Sequence, residues 1–312
     1  MKIMLLGGAG FIGTNLMIHL VQNRSNVITL VDRKRSYFPK TELLNANNIT
    51  IKESSLEADT DFEELLQGQE IVYHLVSTTV PSTSNQHISQ ELNANVVLSS
   101  NLFEACVHCG VKKVVFISSG GTVYGKESDC PLSENTSTNP ISSYGVQKIA
   151  IEKLLYLYRH MYGLDYQIIR LANPYGPYQR PDGVLGAVTT FTYKALKGEP
   201  ITVYGDGSVI RDFIYIDDAI SAIMKITYGK NTHHIFNVGC GYGTSINQVL
   251  DTIQDTLQIK LNILYEEGRS VDVPRNFLDI SRYEKYYGAL EPISLSEGIR
   301  KTSEFMKQYY KL

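Results

Sequence analysis

The apolar run Lys2 to Leu6 passes directly into Gly7-Gly8-Ala9-Gly10-Phe11-Ile12-Gly13, and an amphipathic helical pattern starts at Phe11. A strand that ends on glycines spaced Gly7-x-x-Gly10-x-x-Gly13 and opens a helix permits few folds. One glycine allows a tight turn, another allows a close approach to the helix N-terminus, and the third lets helix and strand pack closely. The same alternation recurs. Asn26 to Val31, Ile71 to Leu75, Lys113 to Ile117 and Gln167 to Leu171 are short, nearly continuous apolar runs of the kind covered on both faces of a parallel sheet. Phe11 to Gln22, Asp61 to Leu66, Ile88 to Cys109 and Ser143 to Met161 carry apolar residues three and four apart, and Gly110 is placed to cap the third. Strand and helix in alternation predict an α/β doubly wound parallel sheet.

Beyond Asn173 the pattern changes. Pro174, Gly176, Pro177, Pro181, Gly183 and Gly186 crowd together, a helix-like run reaches Leu196, and Gly198 and Pro200 follow. The expected organisation is a domain over 1-172 with a return segment at about 209-242, where Ile235 to Val238 reads as a further strand. A smaller mixed C-terminal lobe would comprise 173-208 and 243-312, ending in an amphipathic helix from Ser296 to Tyr310. With 29 basic and 32 acidic residues in no long block, nothing recommends a nucleic-acid or membrane surface, and neither partner is expected. The four cysteines read as reduced thiols. Cys106-x-x-Cys109 falls inside a helix with no second pair downstream, and His233-His234 has no carboxylate at metal-site spacing, so no metal is expected. No apolar run reaches the ~18 residues needed to span a bilayer, and a cytosolic location is expected.

Two spacings point to chemistry. Asp32 closes the second strand 19 positions after Gly13, where a carboxylate accepts hydrogen bonds from both hydroxyls of an adenosine ribose. Its charge repels a 2′-phosphate, so NAD is expected over NADP, with Arg33 and Arg35 the opposing signal. Tyr144 and Lys148 stand at i and i+4 near the start of a helix. A phenol titrating near ~10 is a poor base at neutral pH. An ammonium beside it, with the positive charge of a nicotinamide ring, stabilises the phenolate.

With these residues in place the chain resembles the extended short-chain dehydrogenase/reductases, Rossmann-fold proteins. Within them it is similar to the nucleotide-sugar epimerases and dehydratases typified by UDP-glucose 4-epimerase. The markers are the glycine loop, Thr122-Val123-Tyr124-Gly125, Tyr144-x-x-x-Lys148, Asn173-Pro174-Tyr175-Gly176-Pro177, Arg211-Asp212-Phe213-Ile214-Tyr215-Ile216-Asp217-Asp218 and Arg269-x-x-Asp272-Val273-Pro274. The resemblance implies cofactor contacts from Gly7, Gly10, Phe11, Ile12, Gly13, Asp32, Arg33, Ser55, Leu56, Leu75, Val76, Ser77, Asn95, Ser118, Tyr144 and Lys148. It implies substrate contacts from Gly120, Gly121, Thr122, Asn173, Arg211, Arg269, Asp272 and Asn276, with the two arginines on a diphosphate and Asp272 on the uridine ribose. A homodimer is also implied. Ser55-Leu56 stands where the family often has Asp-Ile, and Ser77 replaces a glycine.

The implied chemistry begins with loss of the C4 hydroxyl proton to Tyr144 as hydride leaves C4, giving a 4-keto sugar. Family dehydratases carry Asp-Glu just before Val-Tyr-Gly, and here those positions are Gly121 and Thr122. A 4-epimerase of a UDP-hexose is therefore expected. The alternatives are a 4-keto-sugar reductase, a 4,6-dehydratase or, from another class, a non-catalytic dinucleotide sensor. A bulky tyrosine four residues after the aspartate of Arg-x-x-Asp restricts family pockets to unsubstituted hexoses. Here that position is Asn276, so UDP-N-acetylglucosamine is expected to be admitted alongside UDP-glucose. The family's catalytic Ser or Thr falls on Gly120. Thr122, read as lying on the same side of an extended chain, or Ser119, after a local backbone shift, would take its part, with Thr122 preferred.

Overall fold

The computed structural model describes residues 1–79, 84–126, 129–181, 186–230, 232–268 and 273–312. Arg269 and Asp272, two of the expected substrate contacts, and Gly183 of the proline-glycine stretch lie outside these. The chain divides into two compact units. The first comprises Met1–Ser119, Ser142–Ile169 and Thr232–Ile235, and the second Gly120–Ile141, Arg170–Asn231 and Phe236–Leu312.

The first unit is built on β1 (Lys2–Leu6), α1 (Phe11–Leu20), β2 (Val27–Asp32), β3 (Ile49–Glu53), α2 (Phe62–Leu66), β4 (Ile71–His74), α3 (Ile88–Leu92), α4 (Leu98–His108), β5 (Lys113–Ser119), α5 (Ser143–Tyr162) and β6 (Asp165–Leu171). The strands order as β3-β2-β1-β4-β5-β6, with β11 (Ile235–Val238) beyond β6, in a seven-stranded doubly wound parallel sheet; the last residues of β6, from Arg170, and of β11, from Phe236, are counted with the second unit. Register is tight at the centre, where Ile3 lies between Ile28 and Ile71. The strand order reverses between β1 and β4, which is the topological switch point where such sheets bind ligands at their carboxyl ends. Met4, Val72, Val114 and Phe116 from the strands pack with Leu102 and Phe103 of α4 and with Ile151 and Leu155 of α5.

Two features depart from the sequence pattern. β3 escapes the reading because Ile49-Thr50-Ile51-Lys52-Glu53 is half-exposed and lacks the continuous apolar character of a covered strand. The single helix expected over Ile88 to Cys109 is interrupted by a π-helical turn at Asn93–Val97. There the Asn95 side chain donates to Glu91 O at 2.9 Å.

The second unit contains β7 (Asn173–Tyr175), α6 (Ala187–Lys197), β8 (Ile201–Tyr204), β9 (Ile210–Arg211), β10 (Phe213–Tyr215), α7 (Ile216–Tyr228), β12 (Thr244–Ser245), α8 (Ile246–Leu257), β13 (Ile263–Glu266), β14 (Arg275–Asn276), α9 (Ser281–Tyr287) and α10 (Leu295–Tyr310). Its sheets are small. β8 pairs with β13, β7 with β10, and β9 lies between β12 and β14. Ile201, Val203 and Leu250 form a local core with Phe191, Ile246 and Ile263. No helix among the described residues is long and apolar enough to cross a membrane.

Candidate active site

The glycine loop is shaped by contacts that exclude side chains. Gly7 has φ +87°, and a Cβ on Gly13 would fall 2.5 Å from Gly7 O and 2.9 Å from Gly8 Cα. α1 therefore packs onto the turn itself. Its N-terminus has no side-chain cap and no acidic residue in the first turn, leaving its amides and dipole for an anionic group. Phe11 and Ile12 are the first helical residues. Asp32 Oδ2 accepts from Ala9 N at 3.0 Å and Oδ1 from Arg33 N at 2.8 Å, which fixes a partly exposed carboxylate beside the loop with lone pairs to spare. The Arg33 guanidinium lies over the Tyr37 ring at 5.9 Å. This donor and acceptor set fits a dinucleotide with a free ribose.

The loop after β4 closes the same end of the sheet. A Cβ on Gly7 would approach Leu75 C at 3.3 Å and Val76 Cγ2 at 3.4 Å. Ser77 Oγ donates to Thr79 O at 2.9 Å. Asn95 does not present a free amide. Its Oδ1 accepts from Thr78 N, and its Nδ2 donates to Thr78 Oγ1 and Glu91 O, all at 2.9 Å. It pins the loop that carries Leu75, Val76 and Ser77. Leu56 is half-buried against the sheet's core, with Ser55 just before it on the chain leaving β3.

β5 and α5 carry the titratable groups. Ser142 caps α5 by accepting from Gly145 N at 3.2 Å, so Tyr144 and Lys148 occupy its first turns. Lys148 Nζ donates to Ile117 O at 2.9 Å and lies 4.7 Å from the Phe116 ring and 5.4 Å from the Tyr144 ring. Burial pushes the Tyr144 phenol up to about 12. It pushes the Lys148 ammonium down to about 8, against the opposing pull of Glu152. Ser118 is buried with its hydroxyl donated to Glu152 Oε1 at 2.6 Å, so it is committed within the protein, and the partly buried Ser119 ends the strand.

In the second unit, Gly120, Gly121 and Thr122 form a turn, not the extended chain expected. Gly120 N still donates to Leu171 O at 2.8 Å, but a Cβ there would strike Leu278 Cδ1 at 2.6 Å. Asn276, buried at 2% exposure, donates from Nδ2 toward Gly120 O at 3.3 Å and Gly121 O at 3.5 Å. The turn leaves Thr122 Oγ1 buried with no hydrogen-bond partner among the described residues. Asn173 donates from both its backbone N and its Nδ2 to Asp212 O at 2.9 Å. Arg211 Nη1 donates to Ile210 O at 2.9 Å and Val273 O at 2.5 Å.

Sequence reasoning missed Asp212 as an organiser. It is fully buried and accepts from Cys240 N at 2.7 Å, Leu278 N at 3.3 Å and Gly241 N at 3.4 Å. Burial raises its carboxyl to about 6. A lone carboxylate just before the apolar Phe213-Ile214 was the available signal.

The family model of the NAD dependent epimerase/dehydratase family matches residues 3–239. A putative UDP-glucose 4-epimerase of Methanocaldococcus jannaschii is 34% identical over 98% of each chain. A dTDP-4-dehydro-6-deoxyglucose reductase of Escherichia coli is 31% identical over 96% of this chain and 95% of its own. Among solved structures, the UDP-glucose 4-epimerase of Thermotoga maritima with UDP-glucose superposes with a TM-score of 0.91 at 33% identity, covering 99% of both chains. The UDP-N-acetylglucosamine 4-epimerase of Methanobrevibacter ruminantium, in complex with UDP-N-acetylmuramic acid, gives 0.90 at 29% identity over 98% of both. With the glycine cradle, Asp32 and the Tyr144–Lys148 pair in place, the chain belongs to the NAD dependent epimerase/dehydratase family.

Proposed function

We propose that this protein is a 4-epimerase of UDP-hexoses, with UDP-glucose and UDP-N-acetylglucosamine as substrates. The observation that carries the reading is the Tyr144–Lys148 pair on α5, a phenol 5.4 Å from a buried ammonium. Gly121 and Thr122 add to it, because neither position offers a carboxyl to remove a sugar C5 proton as dehydration requires.

Bound NAD supplies a hydride acceptor and donor for the sugar C4 carbon and brings a cationic ring. Tyr144 takes the C4 hydroxyl proton and returns it once the 4-keto sugar has turned. Bringing a phenol from about 12 to neutrality takes roughly 7 kcal/mol at 1.36 kcal/mol per pH unit. Lys148 already stands beside the phenol at that value, 5.4 Å from its ring, so it is insufficient alone and Tyr144 stays protonated until the cofactor is in place. Thr122 offers the sugar an unspent hydroxyl, and Arg211, with Arg269 and Asp272, is assigned to the nucleotide diphosphate and ribose. Asn276 stands where a bulkier side chain would exclude an N-acetyl group.

A homodimer is part of this reading, supported by Tyr156, Leu157, Met161 and Tyr162, which α5 leaves exposed. The reductase relative motivates the competing reading, a 4-keto-sugar reductase. Proton NMR of the protein with UDP-glucose or UDP-N-acetylglucosamine, substoichiometric NAD and no other reductant separates them. The galacto epimers are expected from both sugars, with Tyr144→Phe inactive but still binding NAD. Turnover only when a keto-sugar and stoichiometric NADPH are supplied would replace the epimerase reading with the reductase.

A further inference from the structure

Tyr144, Lys148 and Glu152 stand at i, i+4 and i+8 on one face of α5. Lys148 is 6% exposed and Glu152 3%. A carboxylate removed from water to that degree is costly unless it is paired and hydrogen-bonded. The hydroxyl of Ser118 bonds Glu152 Oε1 at 2.6 Å but brings no charge. The neighbouring residue on β5, Ile117, takes the Lys148 ammonium through its carbonyl at 2.9 Å. Two consecutive strand residues therefore hold a carboxylate and an ammonium that stand one helical turn apart on α5.

The other titratable groups around Lys148 do not serve as its counter-ion. Tyr144 is a phenol held protonated by burial. His74 of β4 lies tilted against Phe116, with ring centroids 5.3 Å apart, and Lys148 Nζ lies 4.7 Å from the same Phe116 ring. His74 Nε2 meets Ser99 Oγ at 2.8 Å, and that hydroxyl gives its proton to Asn95 O at 2.5 Å. Nε2 is therefore the donor, His74 Nδ1 has no partner among the described residues, and burial keeps the imidazole neutral. Glu91 of α3 is occupied by Ser143 Oγ at 2.6 Å and Gln147 Nε2 at 3.2 Å. Glu152 is the carboxylate whose charge opposes the effect of burial on Lys148.

We propose that Glu152 is a positioning residue of the catalytic site, the buried carboxylate one helical turn from Lys148 whose charge keeps that side chain an ammonium. This rests on the reading of Lys148 as the cation that assists Tyr144. Removing the Glu152 charge leaves a buried ammonium uncompensated, and Lys148 then sheds its proton at lower pH. The alkaline limit of turnover moves down with it.

The test follows the Lys148 Cε resonance of 13C-lysine-labelled, NAD-loaded protein through a pH titration, with Lys148→Met identifying the signal. Glu152→Gln is expected to lower the Lys148 midpoint by about one unit or more, roughly a tenfold loss of ammonium at fixed pH above the midpoint. The alkaline limb of the kcat profile should fall by the same amount, with NAD affinity unchanged. Glu152→Asp should restore part of both shifts, and its titration decides the matter if Glu152→Gln does not fold. An unmoved Lys148 midpoint in the folded variants, or a loss of rate equal at every pH, overturns the proposal. If the wild type turns over no UDP-sugar, the epimerase reading fails while the titration still judges Glu152. If it does turn them over and the midpoint stays put, Glu152 alone is misassigned.

Discussion

A methyl group on Gly120 would sit 2.6 Å from Leu278 Cδ1 and 3.2 Å from Arg170 O, so the missing side chain is matched by a filled space. Restoring a hydroxyl there by Gly120→Ser should cost about 1–3 kcal/mol through overpacking, seen as a lower melting temperature, without raising activity. Thr122 is the opposite case. Its hydroxyl is buried without a partner among the described residues, a state that penalises folding by about 1–3 kcal/mol, so its presence needs a reason outside stability. Thr122→Val keeps the shape and removes that penalty. It should melt at or above the wild-type temperature while kcat falls on the order of a hundredfold, the size of one lost proton-sharing group. Thermal melts and steady-state rates on the same preparation check both. A drop in melting temperature with full activity would remove Thr122 from the site.

The π-helical turn between α3 and α4 is the element-scale counterpart. Its extra residue lets Asn95 reach Thr78 with both ends of its amide while still bonding Glu91 O, so one side chain ties a helix interruption to the loop after β4. Asn95→Ala should strand Thr78 N, cost about 1–3 kcal/mol and weaken NAD binding roughly tenfold as the loop loosens. Calorimetric titration with NAD measures it, and unchanged affinity would reduce Asn95 to a fold residue. None of this geometry could be read beforehand, because a π turn leaves the three-and-four apolar spacing intact on either side. What could be read was local. The covered strands announce themselves by continuous apolar runs, the cradle by its glycines, and the Tyr144–Lys148 adjacency by a single helical turn. Partners brought from afar carry no such signal. Leu278 lies 158 positions from Gly120, and Asp212 collects amides from segments 28 and 66 positions away. β3 was lost for a different reason, since a half-exposed edge strand has the composition of a loop.

At the scale of the whole molecule, the two compact units hold buried titratable groups of opposite pH response. In the first unit, burial holds His74 near pH 3, against 6.5 for a free imidazole. Between those values the unfolded chain binds a proton that the folded one refuses. The stability His74 contributes is therefore complete above 6.5 and is lost as pH falls, by about 1.4 kcal/mol per unit and about 5 kcal/mol in all. In the second unit, Asp212 is held near 6, against 3.8. Its contribution is complete below 3.8 and is lost as pH rises through 6, about 3 kcal/mol in the opposite sense. Against a total stability of about 5–15 kcal/mol, either effect is large enough to see. Acidification from pH 7 to pH 4 should loosen the first unit while the second holds. Hydrogen-exchange protection factors, corrected for intrinsic rates, should fall in β4 and β5 and persist across Ile210–Tyr215 and Phe236–Gly241. His74→Gln retains an amide donor for Ser99 and cannot take up a proton in this range, so it should flatten the loss in β4 and β5 and leave the second unit unchanged. Equal loss of protection in both units, or an unaltered acid response in His74→Gln, would show that neither buried group governs how this fold yields to acid.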